Sequence, residues 1–414
     1  MKRIILSLTF ILLLWLPILY AGQPNPDKAL FVEKKDEFKE QLQKRAARMD
    51  KKKADKDLEL KMDASALSVP ESPEIFTQAW SHPPVSQDLT GSCWAFSSTS
   101  FFECEIYRLS KRKIKLSEMF TVYWEYVEKA RQFVRKRGDS HFGKGSQPNA
   151  AIRIWKRYGV VPAQAYGSID PEKKIYQDGD MFTEMETFLE SIKERNEWNE
   201  KHVIETIKSI LNRYMGVPPV KIDVDGKQMT PGEYLDQVLG LILDDYVDMM
   251  SLMQAPFYQK VEYKVWDNWW GSRDYYNVPL DDFIDTIRKA AREGYTLCIA
   301  GDNSEAGFLP LLDCAVIPGF DILSQNIDDS ARQFRFSNES TSDDHAIHLV
   351  GYLEKDGETW YLIKDSSTKA RNGRHKGYMF YREDFVKLKM MNIMVHKDAV
   401  RDLMPRFEKE NKAN

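Results

Sequence analysis

Apolar side chains recur at helical spacing through the first two-thirds of the chain and at strand spacing only near its end. On this pattern residues 92–110 form a buried helix and residues 146–158 a second. Residues 181–215 form a long helical stretch rich in Glu and Lys, which Gly216-Val217-Pro218-Pro219 breaks. Residues 232–256 and 281–293 carry the helical pattern again. Strand-like runs come late, at residues 295–300, 345–353, 359–364 and 378–381. No internal repeat interrupts this order. Helices first and strands last predict an α+β fold whose two halves meet at a cleft.

The two ends of the chain differ from this body. Residues 1–21 read as a secretory signal: Lys2 and Arg3 precede an apolar run over residues 4–20, and Ala21-Gly22 offer small residues for cleavage. The alternative is an uncleaved anchor, although the run is near the lower length limit for spanning a bilayer. Cleavage predicts an exported protein, periplasmic or secreted, without stable membrane insertion. Residues 22–69 form an N-terminal arm. In its stretch 27–59, 20 of 33 residues are charged with both signs interleaved, and Leu30, Phe38, Leu42 and Met49 recur at loosely helical intervals. It reads as a surface helix or extended arm, or as a pro-segment covering an active site. The globular domain runs over residues 70–404, and residues 405–414 are a short charged tail.

Composition narrows the function. The 414 residues carry 59 basic and 63 acidic side chains, a net charge of −4 that argues against a nucleic-acid binder. A hydrophobic fraction of 43% supports a full core. Four cysteines (Cys93, Cys104, Cys298, Cys314), none spaced C-x-x-C, are too few for a disulfide scaffold and wrongly spaced for a zinc ribbon. No P-loop, G-x-G-x-x-G or H-E-x-x-H pattern occurs, so no metal or cofactor is expected.

One stretch is chemically specific: Gln87-Asp88-Leu89-Thr90-Gly91-Ser92-Cys93-Trp94-Ala95-Phe96. Thiols attack carbonyls as thiolates, and the unpaired N–H groups at a helix N-terminus favour the anion. Gly91 allows a tight turn, Ser92 can cap, and Cys93 opens an apolar helix. Gln87 can place an amide donor beside the Cys93 N–H, giving two donors for an oxyanion. Cys104, in the middle of the same helix, reads as packing. The nucleophile needs a base and the base an orienting group. His345 follows Asp343-Asp344 and opens the apolar run that continues to Tyr352; His348, three positions on, points to the opposite strand face and reads as packing. After a hairpin at Lys355-Asp356-Gly357, the strand Trp360-Tyr361-Leu362-Ile363-Lys364 ends at Asp365. Pairing of the two strands would set its carboxylate beside His345.

At these residues the sequence resembles the papain superfamily of cysteine peptidases, whose C-G-S-C-W stretch is matched by Thr90-Gly91-Ser92-Cys93-Trp94 except at Thr90. Further segments resemble the bleomycin hydrolase and aminopeptidase C (C1-like) family in its order. These are Leu116-Ser117 with the aromatic helix Tyr123-Trp124-Glu125-Tyr126-Val127-Glu128, Tyr158-Gly159-Val160-Val161-Pro162, Gly216-Val217-Pro218-Pro219, Thr230-Pro231 and His375-Lys376-Gly377-Tyr378. The resemblance spans residues 75–400 and implies a papain-like two-subdomain fold with helical insertions, peptide substrates and a homo-oligomer. It also implies Cys93 as nucleophile, His345 as base, Gln87 as oxyanion donor and Asp365 in the place of the family's Asn. Gly145 matches the first of the family's paired glycines, whose backbone binds substrate as an added strand, and Ser146 stands in the place of the second.

Ser367 occupies the place of the Trp that shields the family's Asn–His bond, so a wetter His345–Asp365 pair is expected. The tail beyond Val400 lacks apolar anchors after Phe407, so it is not expected to fix its carboxylate in the cleft as family tails do. The function implied is an exported thiol peptidase, aminopeptidase or endopeptidase. The competing reading is a papain-fold peptide binder without catalysis.

Overall fold

The computed structural model describes residues 29–33, 36–46, 58–167 and 175–407. The signal-like segment 1–21 and residues 408–414 of the tail lie outside the described residues.

The central element is the helix Cys93–Ser110. Trp94, Ala95, Phe101, Phe102 and Ile106 are all buried, because the helix is apolar nearly all round and has neighbours on both sides. On one side lie the helices Glu118–Arg135 and Ala150–Tyr158; on the other lie the strands His345–Lys355 and Leu297–Gly301. Ser117 caps the first of these helices by accepting from the Phe120 N–H at 3.1 Å. The second starts at Ala150 rather than at 146, since Pro148 disfavours helical backbone at the residue before it.

The stretch expected as one helix over 181–215 is two, Gly179–Glu194 and Glu200–Met215. Asn196 turns left-handed (φ 55°) between them, and the Asn199 side chain caps the second by accepting from the His202 N–H at 3.2 Å. The helix expected over 232–256 holds only as far as Leu239, as Pro231–Tyr234 running into Leu235–Leu239, and stops at Gly240 with φ 67°. Beyond it, Tyr246–Met250 is a strand. Met249 and Met250 point to opposite faces and both are buried, so an interior strand shows the unbroken apolar run of a core helix.

Besides two short two-stranded pairs, most of the described strands form one sheet in the order Phe308–Leu309, Cys314–Ala315, Tyr378–Arg382, Glu358–Lys364, His345–Lys355, Leu297–Gly301, Met390–His396, Tyr246–Met250, Tyr275–Asn277, Gln259–Val261. Thr77–Gln78 adds to His345–Lys355 off this path. Neighbours are antiparallel except Cys314–Ala315 with Tyr378–Arg382 and Tyr246–Met250 with Tyr275–Asn277. The predicted hairpin is present: Asp356 (φ 54°) and Gly357 (φ 81°) form the two-residue turn that Asp-Gly favours. One core lies among the helices and a second lies between the sheet and the helix Leu280–Arg292. This is a papain-like α+β fold in two halves, and the helix Cys93–Ser110 belongs to both.

The N-terminal arm is not one loose helix. Ala29–Glu33 pairs antiparallel with Leu58–Met62, and the helix Glu37–Ala46 lies between them in sequence. The Asp36 carboxylate accepts from Thr368 Oγ1 (2.9 Å) and Asn372 Nδ2 (2.8 Å), which ties the arm to the loop after Asp365. At the other end, Phe407 is 3% exposed against the rings of Tyr258 and Tyr276, so packing continues past residue 404. Among the described residues no helix is long and apolar enough to cross a membrane, and no group of three or more His, Cys, Asp or Glu is placed to hold a metal ion.

Candidate active site

Cys93 is the first residue of its helix and is half-buried, while Cys104, Cys298 and Cys314 are buried. Burial pushes the Cys104 and Cys314 thiols up to about 12 and Cys298 further, so those three stay protonated. The earliest helical N–H groups with a carbonyl partner are those of Ala95 and Phe96, both on Ser92 O. The N–H groups of Cys93 and Trp94 are left at the open end. Ser92 does not cap through its side chain as expected; its hydroxyl is shared with Thr90 Oγ1 at 2.5 Å. Gly91 is required for a different reason than a turn. A Cβ there would come within 2.5 Å of Lys144 Cβ, so glycine lets the Lys144–Ser146 loop approach the turn before Cys93.

His345 opens its strand, and its Nε2 meets Asp365 Oδ1 at 2.9 Å. The Cys93 thiol lies within hydrogen-bonding reach of the ring, which leaves Nδ1 to face it. Burial opposes the imidazolium, but the Asp365 carboxylate and Cys93 outweigh it and hold the His345 pKa well above its usual value. Burial likewise works against the Asp365 carboxylate, and the His345 charge with the Ser367 N–H (2.7 Å) brings its pKa below the usual range. The pair is dry, contrary to the expectation from Ser367. Asp365 is 1% exposed, beneath the loop Ser366-Ser367-Thr368 and the turn Lys369–Arg371. The Arg371 guanidinium, packed over Gly377, lies close enough for its charge to interact with Asp365. The half-buried Arg371 and the loop after Asp365 stand on the side where the family's indole would be expected.

Gln87 is buried and oriented on both sides of its amide. Its Oε1 accepts from Ser366 Oγ at 2.7 Å, its Nε2 donates to Thr90 O at 2.7 Å, and its backbone N–H bonds Ser366 O at 2.8 Å. One N–H of Nε2 remains for a ligand. Thus the segment that carries Asp365 also orients the Gln87 amide. Asp178 fixes the other flank by accepting from the Gly91 N–H (3.1 Å) and Lys144 Nζ (2.6 Å).

Gly145 and Ser146 follow Lys144 and so border the turn before Cys93. The Ser146 hydroxyl turns inward and donates to Glu125 Oε1 at 2.6 Å, which keeps it out of the cleft. Lys129, fully buried, donates to the carbonyls of Gly143 and Gly145. Burial lowers its pKa to about 8 against the opposing pull of Glu125 and Asp267. His348 faces away, as expected: Nδ1 pairs with Ser100 Oγ at 2.9 Å.

The sequence reading therefore placed Cys93, His345, Asp365 and Gln87, and these four converge. It missed Ser366, Arg371, Asp178 and Asp267. Ser366 and Arg371 had a local signal, since both follow Asp365 closely; Asp178 and Asp267 come from loops far along the chain.

No curated protein sequence matches the chain. Among solved structures it is similar to PepW from Lactobacillus rhamnosis, with a TM-score of 0.63 at 16% identity, covering 83% of this chain and 86% of that one. A structure from work on the mite allergens Blo t 1 and Der p 1 overlaps 80% of this chain and 73% of its own at a TM-score of 0.37 and 14% identity. The family model described as the Peptidase C1-like family matches residues 29–413. The chain belongs to the C1-like peptidase family, to which its motifs around Cys93 pointed.

Proposed function

We propose that this protein hydrolyses peptide bonds through an acyl-enzyme on Cys93. The observation that carries the proposal is the line of contacts from the half-buried thiol at a helix N-terminus, through the His345 ring, to the buried Asp365 carboxylate at 2.9 Å. In this mechanism His345 Nδ1 takes the thiol proton, and the thiolate sulfur attacks the scissile carbonyl carbon. The Cys93 N–H and Gln87 Nε2 stabilise the oxyanion that forms. Collapse breaks the C–N bond, and the imidazolium gives its proton to the departing amine. Water, deprotonated by His345, then attacks the thioester and releases the acid. Asp365 holds the ring and stabilises its charged form in both halves.

The apolar run behind Lys2-Arg3 supports an exported site of action. A cleavage map tests the activity. New termini generated from a peptide mixture by the wild type and by no Cys93→Ala sample are the expected result; a mixture left intact by the wild type favours the peptide-binder reading.

A further inference from the structure

The loop that follows Asp365 is gripped at two points. At its start the Ser367 N–H donates to Asp365 Oδ1 at 2.7 Å, the oxygen that also meets His345 Nε2. Beside it, Ser366 Oγ holds the Gln87 amide. Further on, the side chains of Thr368 and Asn372 turn to the N-terminal arm. Thr368 Oγ1 donates to Asp36 Oδ2 at 2.9 Å, and Asn372 Nδ2 donates to Asp36 Oδ1 at 2.8 Å. Asn372 Oδ1 in turn accepts from the Phe38 N–H at 2.8 Å, so both ends of that amide are taken by the arm. Asp36 Oδ1 also accepts from the Lys39 N–H at 2.9 Å. The start of the helix Glu37–Ala46 is therefore capped jointly by Asp36 and by a side chain of the catalytic loop.

Such an anchor holds a loop only if the arm itself is fixed. Asp36 follows the strand Ala29–Glu33, which pairs with Leu58–Met62. There the Met62 N–H bonds Ala306 O at 2.9 Å and Lys61 Nζ donates to Phe308 O at 3.0 Å. The Met62 side chain is buried in one cluster with Leu309 and Trp360. The arm is mounted on the edge of the main sheet at one end and on the loop after Asp365 at the other. A covering pro-segment needs contacts with the cleft; these contacts are with the loop that sets Asp365 and Gln87.

We propose that Asp36 is a positioning residue of the active site, and that the arm holds the loop 366–372 in the shape that orients Asp365 and Gln87. The inference rests on the peptidase reading of Cys93 and adds a control outside the cleft. Attached, the arm raises activity, whereas an inhibitory pro-segment would lower it. A shift at Thr368 passes directly to Ser367, whose N–H fixes the carboxylate oxygen that meets the ring. Misplacement of that kind costs rate more than binding.

Hydrogen exchange tests the hold on the loop without turnover. In the Cys93→Ala protein, Asp36→Ala should speed exchange of the Ser367 amide by about ten-fold or more, and Asn372→Ala should do the same. In the protein that keeps Cys93, either alanine variant should lower kcat for peptide cleavage roughly five-fold with KM little changed. The double variant should be no slower than the slower single one, because both cut the same link. Asp36→Asn guards against a general loss of folding. Its oxygen keeps the Lys39 and Asn372 donors and its amide can donate to the Thr368 hydroxyl, so it should recover roughly half or more of the wild-type kcat. Unchanged Ser367 exchange in both alanine variants, or a kcat that holds or rises, overturns the proposal. A wild type without turnover fails the peptidase reading alone, and exchange still decides whether the arm holds the loop.

Discussion

Two histidines on one strand, His345 and His348, are set in opposite electrostatic environments. His345 lies beside Cys93 at the start of the helix Cys93–Ser110, His348 lies two turns along beside Ser100, and both are near the end of the neighbouring strand Glu358–Lys364. His345 meets Asp365, and its pKa is held well above the usual value. His348 meets Ser100 and, on the other side of that hydroxyl, Lys364 Nζ at 2.6 Å. Burial and then the Lys364 charge drive its pKa well below 6.5. The helix repeats the contrast, with a half-exposed Cys93 at its open end and a Cys104 sealed beside Lys364. Adjacent residues at the end of one strand, Lys364 and Asp365, deliver opposite charges to the two rings. Burial alone makes neither histidine a base. The sign of the neighbouring charge does.

The largest expected effect separates the cysteines. Cys93→Ala should abolish peptide turnover and shift the thermal midpoint by only a few degrees, because a small cleft side chain carries little packing. Cys104→Ala should do the reverse, losing about 1 kcal/mol or more in denaturant titration while keeping turnover. Retained turnover in the first variant would erase the distinction.

Next comes the charge beside each ring. Asp365→Ala should lower kcat by ~10-fold or more, since an unanchored imidazole loses its position. Asp365→Asn should keep substantial activity and move the alkaline limb of kcat/KM to lower pH. The carboxylate is what holds the imidazolium, and an amide cannot. An unmoved alkaline limb would show that Asp365 does not tune His345.

His348 predicts a stability effect of opposite sign to that of His345. With its folded pKa depressed, the unfolded chain binds a proton below about pH 6.5 that the folded chain excludes. Stability should therefore fall with acidification by up to about 1.4 kcal/mol per pH unit, and His348→Gln should flatten that slope. His345, with its pKa raised, contributes fully below its unfolded value and loses that contribution as pH rises through the folded one. Identical acid slopes for wild type and His348→Gln would refute the contrast. The smallest effect concerns Ser366. Ser366→Ala frees the Gln87 amide, and a roughly 3-fold loss of kcat without a change in KM is expected from impaired oxyanion positioning.

Much of the catalytic line was legible because it is local. Gln87 through Phe96 is one contiguous stretch, and the Asp-Gly hairpin between two short strands brings Asp365 back to His345. What was not legible depends on the third dimension. Nothing near Asp178 in sequence marks it, and only its hold on the Gly91 N–H and Lys144 Nζ ties it to the site. Ser367 suggested an open, wet pair because the shielding loop and Arg371 are visible only once folded. The strands Tyr246–Met250 and Met390–His396 are buried on both faces, so they lack the alternation that identifies a half-exposed strand.

The account's central claim is that His345 and its carboxylate activate Cys93 and no other thiol. Labelling by an epoxide-type thiol-protease inhibitor, read by mass spectrometry at each cysteine, tests it most directly. The prediction is one adduct, on Cys93, at neutral pH in the wild type, and its loss in His345→Ala. Equal labelling in His345→Ala, or no adduct in the wild type, would contradict it.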